Sequence, residues 1–146
     1  MSNAAALSND FATRLAAIVG DERVLTSPED RRFFSLDFSE QPGELPLAVV
    51  RPRSCADVAE IVRISSQAGI AVNTRGGGMS YTRGHVPVRP DTIIVDATGL
   101  NKVIEVNTQD RYVVLETGVT WAEPFSGVPS VPQPDRQAQA RKGKTR

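Results

Sequence analysis

Apolar positions recur along this chain first with helical and then with strand spacing. Phe11, Leu15, Ile18 and Val19 stand at i, i+4, i+7 and i+8. They predict a short amphipathic helix, capped between Ser8 and Asp10 and stopped by Gly20. Ser27-Pro28-Glu29-Asp30 places a cap, a proline at the first helical position and two acids in the first turn, which suits a second helix through about Phe34. A loop through Gln41-Pro42-Gly43 follows. The apolar run Leu47 to Val50, halted by Pro52, predicts a buried strand over about 46–51. Ser54 with Asp57 has the capping-box spacing and opens a helix whose Val58, Ile61, Val62, Ser65 and Ala68 share one face. Gly69 ends that helix, and Ile70 to Thr74 is the next strand. The short joints make this a β-α-β unit with parallel strands.

The later runs Thr92 to Asp96, Lys102 to Val106 and Tyr112 to Glu116 are short and β-rich, with turn signals at Thr98-Gly99 and Asn107 to Asp110. They predict neighbouring strands of a meander. The fold class is therefore α+β with an α/β start: a parallel β-α-β unit followed by a small antiparallel sheet. Beyond Trp121 the prolines 124, 129, 132 and 134 lead into a polar, basic stretch without apolar periodicity, expected to be disordered from about residue 124. The expected organisation is an N-terminal helical segment over 1–41, a partial cofactor domain over 42–123 and a proline-rich, then basic tail over 124–146.

Composition narrows the class. The length of 146 residues suits one domain, and 40% hydrophobic with 23% charged residues excludes a wholly disordered or fibrous chain. No run approaches the roughly 18 apolar residues that a bilayer span needs, and the start lacks a signal-peptide pattern, so a cytoplasmic protein without membrane contact is expected. Cys55 is the only cysteine, which excludes an internal disulfide and a multi-cysteine metal site, and it reads as a small core filler. Five of the 17 basic residues lie in 136–146, where there is no acid, so the preceding body is acidic and nucleic acid is not an expected partner.

Candidate chemistry concentrates in Arg75-Gly76-Gly77-Gly78-Met79-Ser80-Tyr81. Three glycines without Cβ atoms let the backbone turn several N–H groups toward one ligand, an arrangement that suits the crowded oxygens of a pyrophosphate. Ser80 stands beside it, and Arg75 and Arg83 are placed to add charge-assisted bonds from either end. Such a run also serves as a plain connection between strands; its position directly after a β-α-β unit favours the anion nest. The spacing fails the dinucleotide pattern G-x-G-x-x-G, because the glycine after Gly78 is Gly84. Gly143-Lys144-Thr145 fails as a P-loop, since position 138 is alanine.

The ordered series Ile18-Val19-Gly20, Val24-Leu25-Thr26, Ala48-Val49-Val50-Arg51-Pro52, Val58 with Ile61-Val62, Arg75 to Ser80, Ile94-Val95-Asp96, Leu100-Asn101-Lys102-Val103-Ile104 and Thr117-Gly118-Val119-Thr120-Trp121 resembles the flavoproteins of the vanillyl-alcohol oxidase type, in their PCMH-type FAD-binding domain. The resemblance implies a parallel unit packed on an antiparallel one, FAD in the cleft between them, and a pyrophosphate cradled by Arg75, Gly76, Gly77, Gly78, Met79 and Ser80. Tyr81 and Thr82 then line the flavin side of the loop, or Tyr81 packs on Val86 or Val88; Gly84 and Gly118 are candidates by family position. Many members attach flavin through a histidine in or beside this loop, where some carry it at the position of Met79. His85, the only histidine, lies several residues too late, so FAD is expected to bind non-covalently and His85 to be a solvated side chain.

After Trp121 the family continues with a helix, a further loop and a substrate domain, to which residues 124–146 do not correspond. Their composition reads as a truncated or frameshifted end, so no catalytic residue is named. Asp96 and Glu116 are read as surface or turn-capping carboxylates rather than a catalytic pair. The expected function is FAD binding, as the N-terminal part of an oxidoreductase that takes hydride from a small organic substrate in full-length relatives. The alternative is a vestigial protein that holds no cofactor.

Overall fold

The computed structural model describes residues 2–38 and 41–120, with side chains from Asp10 onward. The helix α1 spans Ser2–Val19. It begins well before the expected caps at Ser8 to Asp10, since the Ala4-Ala5-Ala6-Leu7 run has strong helix propensity. Gly20, with φ 98°, stops it where expected. A 3-10 turn at Asp21–Arg23 leads to strand β1, Val24–Leu25. Helix α2, Pro28–Phe34, starts on Ser27, whose side chain accepts from the Asp30 N–H.

Strand β2 is Ala48–Val50, helix α3 is Cys55–Gln67 and strand β3 is Ala71–Arg75. Strand β4, Thr92–Asp96, is followed by a 3-10 turn at Ala97–Gly99. Strands β5, Val103–Asn107, and β6, Tyr112–Leu115, form an antiparallel hairpin of their own. The first four strands form one sheet in the order β1-β2-β4-β3.

That order bears out a parallel unit followed by a small antiparallel sheet and corrects the expected meander. β4 pairs parallel with both β2 and β3, lying between them as a central strand. The signal was present in Thr92-Ile93-Ile94-Val95-Asp96, whose five residues are all buried. An apolar run without alternation belongs to a strand covered on both faces.

Alternate residues supply the two faces. Ala48, Val50, Ile93 and Val95 pack with Phe11, Leu15 and Val19 of α1 and with Ile61 and Ile64 of α3. Val49 and Ile94 point the other way, onto Phe34 of α2. The face of α3 is centred one step from its expected position: Ile61, Ile64 and Ser65 are buried, while Val62 and Ala68 are exposed. Ser65 satisfies its hydroxyl on the Ile61 carbonyl at 2.7 Å, so a polar residue sits in the core face without loss.

Candidate functional site

The three parallel strands β2, β4 and β3 end on one side, where Arg51, Asp96 and Arg75 stand in neighbouring positions. Crevices outside the carboxyl ends of parallel strands are the usual ligand sites of such sheets. Here a hollow of about 380 Å³ is lined by Cys55 of α3, by Arg75 and Gly76 at the exit of β3, by Ala97 and Leu100 after β4, and by Thr117 after β6. Thus the hairpin, although a separate sheet, returns the chain to the glycine loop.

Within the loop Gly78 adopts φ 78°, which a side chain disfavours, whereas the space around Gly77 is open to beyond 4 Å. A Cβ on Gly76 would stand 3.5 Å from the Thr117 carbonyl oxygen. Among the described residues the N–H groups of Gly77, Gly78 and Met79 donate to no partner. Ser80 orders the far end of the loop: its Oγ accepts from the N–H of Thr82 at 3.3 Å and of Gly84 at 3.2 Å. Both acceptor sites are thereby filled, and the hydroxyl proton is left to donate. Met79 and Tyr81 project outward, 69% and 68% exposed. Tyr81 packs on Phe38, with ring centroids 5.2 Å apart.

The two arginines flanking the loop are placed differently. Arg83, itself at φ 60°, donates from its guanidinium to the carbonyls of Gln41 at 2.9 Å and Pro42 at 3.5 Å, and its N–H donates to Asp37 at 2.9 Å. It fastens the loop to Asp37, Gln41 and Pro42 instead of reaching for an anion. Arg75 lies against Phe33 and Phe34, its guanidinium carbon 4.9 Å and 4.8 Å from their ring centroids. Its Nε and Nη1 are buried without a hydrogen-bond partner. Burial pushes its pKa below the ordinary arginine value, and the nearby Asp96 carboxylate opposes that shift.

Two further expectations, for His85 and Cys55, are corrected by tertiary packing, and one, for Asp96, is narrowed. His85 is buried, its Nε2 3.1 Å from the Leu36 carbonyl, while its own carbonyl accepts from Asn73. It is a strut of the same fastening and not a solvated side chain. Cys55 is exposed at the first position of α3 and fills no core. Asp96 is buried rather than superficial, although the turn-capping role holds: it accepts from the Thr98 N–H and hydroxyl and pairs with Arg51 at 2.9 Å. Glu116 is bound elsewhere, accepting from the Lys102 N–H, so the two carboxylates form no pair.

Gly118 closes the site. A Cβ there would stand 2.3 Å from the Ala97 carbonyl oxygen and 2.7 Å from that of Thr98, so only glycine lets the β6 exit lie on the turn after β4. Gly84 has no such constraint, its nearest neighbours standing 3.8 Å away. Phe33, Phe34 and Asp37 escaped the sequence reading, because nothing in α2 or its exit announces that they will meet a loop some forty residues later. No group of three His, Cys, Asp or Glu residues able to hold a metal occurs among the described residues. Unpartnered amides, a hydroxyl proton and an arginine whose Nε and Nη1 lack a hydrogen-bond partner, at one glycine turn, fit a pyrophosphate.

Comparison with known proteins agrees with this chemistry. Residues 46–124 match the family described as FAD binding domain. An FAD-linked oxidoreductase of Mycobacterium tuberculosis is 27% identical over 114 residues, covering 76% of this chain and 24% of its own length. D-2-hydroxyglutarate dehydrogenase of Pantoea ananatis is 38% identical over 96 residues, covering 64% of this chain and 9% of its own. The chain thus spans about a quarter or less of the length of the curated relatives it matches. Among solved structures, p-cresol methylhydroxylase with substrate bound superposes with a TM-score of 0.70 at 23% identity, over 81% of this chain and 24% of that one. The fold at the carboxyl edge of the sheet and the matched residues lead to one assignment: the chain belongs to the FAD-binding domain family, with the PCMH-type fold of the vanillyl-alcohol oxidase flavoproteins.

Proposed function

We propose that this chain holds FAD non-covalently by its pyrophosphate, as the cofactor-binding part of an FAD-dependent oxidoreductase acting on a small organic substrate. The observation that carries the reading is the set of N–H groups on Gly77, Gly78 and Met79, which have no partner among the described residues and lie at the carboxyl edge of a parallel sheet. Bound flavin supplies the redox chemistry by accepting a hydride from the substrate. The chain's own residues bind and orient. Gly76 and Gly77 admit the phosphates to the backbone, Ser80 donates its hydroxyl proton, and Arg75 contributes positive charge. Tyr81, Gly84 and Gly118 shape the surroundings of the loop.

In this reading residues 42–123 are the cofactor unit and 1–41 the helical segment before it; the tail 124–146, with the disorder expected of it, lies outside the described residues. Among the described residues no helix is long and apolar enough to cross a membrane, and a cytoplasmic setting is part of the proposal.

The test is retention. The purified chain, mixed with FAD and desalted, is expected to carry a flavin absorption band that acid precipitation releases into the supernatant. Gly77→Asp is expected to abolish the band with unchanged circular dichroism, since the position is open and the added carboxylate repels phosphate. A folded but colourless wild-type protein overturns the proposal and favours a vestigial chain, whereas a band that stays with the precipitate overturns non-covalent binding.

A further inference from the structure

Among the described residues, Arg75 is the side chain with buried polar atoms left without a hydrogen-bond partner. It belongs to β3 and stands opposite Asp96 in register, yet the Asp96 carboxylate bonds Arg51 and Thr98. Arg51 in turn lies 5.7 Å from the Phe34 ring, so two guanidinium groups and one carboxylate share the ends of β2, β3 and β4. Arg75 makes no ion pair among the described residues, and its Nη2 is 2.5 Å from where a Cβ on Gly78 would stand. It therefore occupies the space that a side chain at Gly78 would need.

We infer that Arg75 is a positioning residue for the phosphate loop, held on Phe33 and Phe34 so that it backs the left-handed turn at Gly78 and sets a positive charge behind the unpartnered amides. This rests on the function proposed above and goes beyond it, because it makes Phe33, which has no polar group to offer an anion, a determinant of cofactor affinity.

The physical reason is that a planar guanidinium stacks on aromatic faces and tolerates desolvation better than an ammonium. With Nε and Nη1 enclosed beside the rings, the side chain lacks the freedom to swing over the loop as a direct ligand. Lysine at this position keeps the charge but loses the planar stack. Phe33 is 61% exposed, so its replacement tests the contact without opening the core.

The experiment uses the full chain labelled with ¹⁵N, without and with FAD. In the free chain the Arg75 Nε–H resonance is expected to be displaced by ring currents, and Gly77 to Met79 to show ordered backbone relaxation. Phe33→Leu is expected to return that resonance toward its ordinary position, lower the order of the three loop residues and weaken FAD binding about tenfold. Phe33→Tyr, which keeps the ring, is expected to preserve all three, and Arg75→Lys, which removes the Nε–H reporter, to lower loop order and weaken FAD binding as Phe33→Leu does. Wild-type loop order and affinity in Phe33→Leu or in Arg75→Lys overturn the inference. If the wild-type chain takes up no FAD, the proposed function fails separately, and unchanged relaxation in Phe33→Leu still overturns the positioning role.

Discussion

A side chain at Gly118 has nowhere to go, because three carbonyl oxygens, those of Ala97, Thr98 and Leu100, lie within 2.8 Å of its first carbon. Gly118→Ala must move backbone, and it is expected to lower stability by about 1–3 kcal/mol in urea unfolding, the usual cost of overpacking. Gly84→Ala meets nothing closer than 3.8 Å and is expected to leave the unfolding midpoint unchanged. The letter G thus covers several physical situations: conformation at Gly78, close approach at Gly118 and access at Gly77. Sequence order identified all of these glycines as candidates but not the reason for any one. The same limit explains Cys55 and His85, whose burial was read from residue type and came out reversed. Burial depends on what a residue faces, and here α3 turns Cys55 outward while the chain at Leu36 covers His85.

Local elements were far more legible. Ser54 caps α3 by accepting from the Asp57 N–H at 3.1 Å, and Ser54→Ala is expected to cost about 1 kcal/mol in the same unfolding measurement. The Asp57 side chain accepts from the Arg53 N–H and the Ser54 hydroxyl. These bonds, that from Arg53 first, hold its pKa below the ordinary aspartate value. Since the folded pKa is depressed, the contribution to stability is present above the unfolded value of about 3.9 and is lost as pH falls through the lower folded value. Asp57→Asn is therefore expected to flatten the stability curve in that acidic window, read by urea midpoints at successive pH values. By contrast, the buried face of α3 shifted from Val62 toward Ile64. Val58, Ile61, Val62, Ile64 and Ser65 spread over a wide arc, and only the sheet determines where its centre falls.

In the whole molecule, packing is unevenly distributed. β4 has strands on both sides and helices over both faces, whereas the β5–β6 hairpin leaves Ile104 at 63% and Tyr112 at 45% exposure, and pairs with no further strand among the described residues. An isolated two-stranded hairpin is marginal in water. In hydrogen-exchange measurements the amides of Ile93 to Val95 are expected to exchange orders of magnitude more slowly than those of Val113 and Val114, and equal protection in the two regions contradicts this division. The sequence by itself determined the caps of α2 and α3, the positions of the main strands and the glycine loop at the exit of β3, because each signal is complete within a few neighbouring residues. Tertiary structure decided that β4 enters between β2 and β3, that Arg75 rests on Phe33 and Phe34, that Thr117 returns to the loop and that Gly118 lies on the turn after β4. Those pairings join residues far apart in the chain, and their energies arise from burial and charge that exist only once the sheet has formed.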